Sequence, residues 1–294
     1  MTFSKPTPAN WNWIDLRKES PMQQNRLKWL RPLRKYFYSN RSSAVVYFVL
    51  RGLIILSMLR AFSRQDYQSV FLCILSLILL LLPSILSHKL DIKLPSTLEV
   101  FILLFIFAAE ILGEVNSFYV RVPHWDTMLH TINGFLCAAV GFALVDLLNR
   151  NEQFSFQLSP VFLAIVAFCF SMTVGVLWEF FEFSMDCFFG LDMQKDTIVT
   201  AISSVSLDPT LTNTVISVGD IADVILVHSD GTREALGLGG YLDIGGMDTM
   251  KDLLVNLVGA VVFSIIGYIA ASRRGKSKIA VRFIPQVLPE ENDE

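Results

Sequence analysis

Leu177 to Asp186 reads LWEFFEFSMD, the end of an apolar run that begins at Pro160, and it sets three carboxylates, Glu179, Glu182 and Asp186, where a bilayer-crossing helix would leave the lipid. At 100° per residue the three fall on one helix face, over about 10 Å of its length. An ionisable group at a membrane boundary must be paired, hydrated or bound, so the stripe marks a candidate site and demands partners from the rest of the chain.

The composition supports that reading. Of 294 residues, 53% are hydrophobic and 17% charged, with a mean hydropathy of +0.50. Soluble domains carry roughly 25% charged residues. Apolar runs of near-spanning length occur at about Ala44 to Ala61, Ser69 to Leu86, Leu98 to Phe118, Thr127 to Leu148, Pro160 to Phe183 and Leu253 to Ala271. Each is close to the roughly 20 residues that cross a bilayer as a helix. The expected fold is therefore an all-α membrane protein, a bundle of six transmembrane helices. Arg51, in the middle of the first run, must pair or snorkel, with Glu99 or Glu110 as candidate partners. Cys73, Cys137 and Cys169 lie in apolar runs and read as small core residues, and Cys187 alone builds no disulfide framework. The first apolar run follows a long polar segment, so no cleavable signal peptide is expected.

The basic residues orient the bundle. Residues 1–43 hold nine Lys or Arg, interleaved with Trp11, Trp13, Trp29, Tyr36 and Tyr38. This is the composition of a segment lying on an anionic cytoplasmic leaflet, so membrane lipid is the expected partner and nucleic acid is not. With that end inside, seventeen of the 24 Lys and Arg fall in cytoplasmic segments and six in outer ones. The positive-inside bias then puts both termini in the cytoplasm of a plasma-membrane protein. The organisation expected is a basic cytoplasmic or interfacial segment (1–43), a six-span domain (44–271) with an extracytoplasmic insertion (187–246), and a cytoplasmic tail (272–294). Within the insertion, Thr214 to Val218 and Asp223 to His228 read as short strands. Ser229-Asp230-Gly231 is a turn signal before Thr232 to Leu236, so a small β-hairpin is expected.

This topology brings scattered polar residues to one level. The third run ends with Glu110 and Glu114, and the fourth begins with Asp126, His130 and Asn133. The fifth ends with Glu179, Glu182 and Asp186, and the sixth begins with Asp248, Asp252 and Asn256. All four groups fall at the outer end of the bundle, at spacings of three or four that stack side chains on one helix face. The groups also echo one another. Glu110 and Glu114 precede Asp126-Thr127-Met128, and Glu179 and Glu182 precede Asp248-Thr249-Met250, as a duplicated helical hairpin would.

HWDTMLHTINGF (His124 to Phe135), GVLWEFFEFSMD (Gly175 to Asp186) and GGMDTMKDLLVNLVGA (Gly245 to Ala260) resemble, in this order, the motifs of YjdF-like integral membrane proteins. More loosely, they are similar to VanZ-like proteins associated with glycopeptide resistance. The resemblance covers roughly Glu110 to Gly267 and marks Asp126, His130, Glu179, Glu182, Asp186, Asp248, Asp252 and Asn256. It implies a membrane protein without an established activity. The basic N-terminal segment and the long 187–246 connection depart from the pattern.

Carboxylates with one imidazole and an amide, and without a thiolate, form a hard ligand set suited to Mg²⁺, Mn²⁺, Ca²⁺ or Fe²⁺, with Zn²⁺ admissible through His130. Asp126, His130, Glu179, Glu182, Asp248 and Asp252 are the candidate metal ligands. Gathered without a counter-charge they would repel strongly, so a cation, protons, or Lys251, Arg121 and Lys195 must balance them. HExxH, CxxC, Gly-rich phosphate loops and GxSxG are absent from the sequence, so the familiar hydrolase and nucleotide-binding motifs name no reaction. Three readings stay open. One is binding of a divalent cation, protons or a lipid headgroup. Another is a metal-assisted enzyme acting on a lipid-linked substrate, with Glu179 or Glu182 as base. The last is a structural network of helix-end caps, which suits Asp126 and Asp248 at helix N-termini but not Glu179 and Glu182 at a C-terminus. Trp125 and Trp178 read as interface anchors.

Overall fold

The computed structural model describes residues 41–89, 92–150, 158–273 and 286–287. The expectations for residues 1–40 and for most of the tail fall outside them. Helices α1 (Arg41–Ser63), α2 (Tyr67–Leu79) and α3 (Leu82–Lys89) lead into α4 (Ser96–Ile106), which continues as a π-helix over Phe107–Val115. A single turn, α5 (Phe118–Arg121), then leads to three long helices: α6 (Trp125–Arg150), α7 (Pro160–Phe189) and α8 (Gly246–Ser272).

Among the described residues, five helical stretches are long and apolar enough to cross a membrane: Ser43–Ser63, Tyr67–Ile85, Trp125–Asp146, Pro160–Phe189 and Gly246–Ser272. The run expected as a third span, Leu98 to Phe118, is not among these five. Its α-helix gives way at Phe107 to π-helical turns, the last closed by the Asn116 N–H on the Ile111 carbonyl (3.1 Å), with the Asn116 side-chain amide on the same oxygen (2.6 Å). Ser117, at φ +58°, then breaks the helix. Arg51 is satisfied within its own helix: it donates to the Tyr47 hydroxyl and lies over the Tyr47 ring.

Two cores share α4. Tyr47, Leu50, Ile54 and Cys73 pack with Leu103, Ile106 and Ile111, joining α1, α2 and the α4–π unit. Leu94 and Leu98 pack with Leu136, Phe142, Leu163, Ala167 and Phe263, joining the start of α4 to α6, α7 and α8. Phe263 stands edge-to-face between Phe135 and Phe142, at centroid distances of 5.1 and 6.2 Å. Outward-facing Phe48, Leu56, Phe62, Phe71, Val161, Ile165 and Ile265 are exposed, as lipid-facing surfaces are.

The α6–α8 crossing is set by glycine. A Cβ on Gly134 would lie 2.1 Å from the Asn256 carbonyl oxygen, and one on Gly259 would lie 2.0 Å from the Thr131 carbonyl oxygen. Small residues let helix backbones approach this closely in membranes, where lipid gives no hydrophobic drive to association.

Helix α7 starts at the Ser159 cap, whose hydroxyl accepts from the Phe162 N–H (3.2 Å) with Pro160 as first helical residue, and stops at Gly190 (φ +64°). Its 30 residues amount to about 45 Å, against roughly 30 Å of bilayer hydrocarbon. Twenty residues counted from Pro160, enough to cross that thickness, end at Glu179, and the helix continues through Glu182 and Asp186.

Beyond α7 the chain forms antiparallel strand pairs. β2 (Ile198–Val199) pairs with β7 (Tyr241–Leu242), β3 (Ile202–Ser204) with β4 (Ile216–Val218), and β5 (Ile225–Val227) with β6 (Arg233–Ala235). The β5–β6 pair is the expected hairpin. Its turn holds Gly231 at φ +85°, and Asp230 accepts the Thr232 N–H (2.9 Å). The strand expected at Thr214 to Val218 is present as β4, but its partner β3 carried no strand signal. A short β1 (Ile92–Lys93) pairs with β8 (Gln286–Val287).

Candidate metal centre

Five of the candidate residues meet where α6 begins, α7 ends and α8 begins. His130 lies at the centre. Its Nε2 is 3.5 Å from Asp126 Oδ1, one turn earlier on α6, and 3.8 Å from Asp252 Oδ2 on α8. Its Nδ1 is 3.7 Å from Glu179 Oε1 on α7. Among the described residues, two sets offer ligand atoms all within 4.8 Å of one another: Asp126, His130 and Asp252, and His130, Glu179 and Glu182. His130, Glu179, Glu182 and Asp252 are buried, whereas the Asp126 side chain is 24% exposed and opens the centre on one side.

The polar bookkeeping here is incomplete. Neither carboxylate oxygen of Glu179 has a hydrogen-bond partner, and Asp252 Oδ1 has none, although these residues are only 4% and 1% exposed. A buried carboxylate left so is costly, and native structures rarely tolerate one without an ion, a proton or water to satisfy it. Glu182 is better served, since Oε1 accepts the indole N–H of Trp178 (2.9 Å). Trp178 therefore does more than anchor α7 at an interface.

The other candidates stand apart. Asp186 accepts the backbone N–H groups of Met193 (2.6 Å) and Gln194 (2.9 Å), and Asp248 accepts that of Lys195 (2.9 Å). These two acids strap the segment after α7 across the helix ends, and the Gln194 side chain adds a bond to Thr249. The Lys251 ammonium lies 3.5 Å from Asp248. Asn256 lies one turn deeper than Asp252, where it accepts from Asn133 (3.3 Å) and meets the Ser171 carbonyl (3.5 Å), an interhelical bond rather than a ligand position. Glu110 is half-buried and Glu114 exposed on the π-helix, and neither belongs to the two ligand sets.

Tyr119, which no motif singled out, packs its ring on Gly113, where a Cβ would lie within 2.3 Å of it. Burial first, and then the charges of Asp126, Glu114, Glu110 and Glu182, push its phenol far above the usual tyrosine range. The signal in the sequence was the pairing of a small residue, Gly113, with an aromatic residue after the break at Ser117.

Apolar helices of spanning length around a buried acidic and imidazole cluster define a multi-pass membrane protein. The chain belongs to the family described as predicted membrane proteins (DUF2238), whose family model matches residues 45–273. An uncharacterized protein of Thermotoga maritima is 26% identical over 81 residues, which cover 28% of this chain and 40% of the relative's own length. No solved structure matches the chain.

Proposed function

We propose that this protein holds a divalent, oxygen-preferring cation at His130 and its surrounding carboxylates, at the outer face of the plasma membrane. The observation that carries this reading is that Glu179 and Asp252, buried and facing one imidazole from two other helices, keep carboxylate oxygens without a hydrogen-bond partner: both of Glu179 and Oδ1 of Asp252. A cation satisfies those lone pairs and offsets the mutual repulsion of four carboxylates together. Imidazole with carboxylates favours Mn²⁺, Fe²⁺ or Zn²⁺. The outer placement, both termini in the cytoplasm, and an extracytoplasmic position for residues 187–246 rest on the distribution of Lys and Arg. The resemblance of three motifs to YjdF-like proteins adds the expectation of a shared acidic site. Elemental analysis of the purified protein beside Glu179→Gln and His130→Ala tests the reading. Stoichiometric metal in the wild type, its loss in His130→Ala and its reduction in Glu179→Gln are expected, and a metal-free wild type under varied metal supply defeats it.

A second reading, metal-assisted chemistry on a lipid-linked substrate, draws on what lies deeper in the bundle. From Gly134 to Val145, from Pro160 to Trp178 and from Leu253 to Ser272, the three helices carry no Asp, Glu, Lys, Arg or His. Such walls offer an ion no ladder across the bilayer, so an ion here is resident rather than in transit. The exposed edge of Asp126 leaves one side open to a reactant, and Glu179 or Glu182 would serve as base for a metal-activated water. Incubation with labelled lipid-linked precursors separates the two readings, because a pure binder retains them unchanged.

A further inference from the structure

We infer that the centre has two cation positions, one on each side of the His130 ring; this rests on the cation reading above and extends it. The ring divides the cluster. Nε2 faces Asp126 Oδ1 and Asp252 Oδ2, at 3.5 and 3.8 Å, while Nδ1 faces Glu179 Oε1 at 3.7 Å with a Glu182 oxygen within the same 4.8 Å set. Each half is thus a three-ligand set in its own right, contributed by α6 and α8 on one side and by α6 and α7 on the other.

Each half also carries its own unmet demand. Asp252 Oδ1 lacks a partner on the Nε2 side, and both Glu179 oxygens lack one on the Nδ1 side. A single ion on Nε2 would leave Nδ1–H to serve Glu179 Oε1, the arrangement usual for a metal-bound histidine. That arrangement leaves Glu179 Oε2 unmet and two carboxylates crowded behind the ring. A single ion on Nδ1 leaves Asp252 unmet instead. Two divalent ions satisfy both halves, and their four positive charges offset all but one of the five negative charges of Asp126, Asp252, Glu179, Glu182 and a doubly ligating His130. Ligation through both nitrogens leaves the ring without its N–H proton, which passes to solvent water. The two positions differ in access. The Nε2 position includes the partly exposed Asp126, whereas the carboxylates of the Nδ1 position, Glu179 and Glu182, are both buried, and Glu182 accepts the Trp178 indole N–H.

Mn²⁺ alone is the probe. The full-length protein, stripped with chelator in lipid nanodiscs, is reloaded, freed of unbound ion, and read by elemental analysis and electron paramagnetic resonance. Two Mn²⁺ per chain are expected, with a spectrum broadened by the neighbouring ion. Asp252→Asn and Glu182→Gln should each retain one ion and recover the resolved hyperfine pattern of an isolated Mn²⁺. Glu179→Gln replaces Glu182→Gln if the latter does not fold. One isolated ion in the wild type overturns the two-ion inference and leaves the cation reading standing. No retained ion overturns both. Two ions kept in Asp252→Asn and in both Glu variants would place the binding elsewhere and overturn the assignment.

Discussion

Gly134 on α6 lies so close to Asn256 on α8 that a methyl group on its Cα would stand 2.1 Å from the Asn256 carbonyl oxygen. No rotamer relieves a clash with backbone. Gly134→Ala must therefore separate the two helices that carry His130 and Asp252. A loss of at least about 1–3 kcal/mol is expected from such overpacking, together with weaker cation binding. Gly52, where nothing lies within 4 Å of the added carbon, is the control. Gly52→Ala should be neutral or stabilise by up to about 1 kcal/mol through helix propensity. Unfolding temperatures in detergent check both.

Glu179→Gln should change sign with the medium. Without divalent ions it removes a buried carboxylate whose oxygens accept no hydrogen bond and relieves its repulsion with the neighbouring acids, and should raise the unfolding temperature above that of the wild type. With Mn²⁺ at a hundredfold excess over its dissociation constant, the wild type gains about 2.7 kcal/mol by mass action, and the variant gains less. A purely structural role for Glu179 predicts destabilisation in both media.

The strap separates two kinds of acid. Asp186→Ala frees the N–H groups of Met193 and Gln194. Hydrogen bonds to a charged acceptor contribute about 1.5–3 kcal/mol, so amide exchange there should rise roughly tenfold to a hundredfold. Metal content should not change. Loss of metal in this variant would return Asp186 to the ligand set.

Asp208 sets a pH dependence away from the centre. Its carboxylate accepts the hydroxyl and N–H of Thr210, and the N–H groups of Thr212 and Thr214, which hold it well below the usual aspartate range. A depressed folded value means that the contribution is complete above the ordinary Asp value of about 3.9. It is lost as pH falls from there through the folded value. Amide exchange at Thr212 and Thr214 should therefore stay protected down to about pH 4 and weaken only in stronger acid, whereas Asp208→Asn should remove that acid-dependent step.

Much of this architecture was legible in the sequence, because burial in lipid imposes a simple rule: about 20 apolar residues make a helix. At Leu98 to Phe118 the rule is incomplete, because the run carries Glu99, Glu110 and Glu114 and its hydrogen bonds shift to a wider turn from Phe107. Hydropathy carries no information on that register. The clustering of Asp126, His130, Glu179, Glu182 and Asp252 followed from helix spacing and loop charge. Their division around the two ring nitrogens did not, because it depends on where α7 and α8 meet α6. Asp186 and Asp248 share the face and the spacing of their neighbours, so only the path of the following chain separates strap acids from centre acids. Likewise β3, two polar serines beside Ile202, is strand only because Ile216–Val218 lies against it.

Three successive N–H groups, at Met193, Gln194 and Lys195, are gripped by carboxylates from two different helices, so the gap between the end of α7 and the start of α8 is gauged by a backbone stretch of at most about 7 Å. Just beyond, Ile198 and Val199 pair with Leu242 and Tyr241, and Gly240 is pressed against Val199. The loop is thus pinched shut at its root. What lies between Thr200 and Gly239 hangs outside that pinch, free to be shortened, diversified or replaced by a tag with little effect on the helix ends, whereas deleting a single residue between Asp192 and Thr197 would shorten the gauge itself.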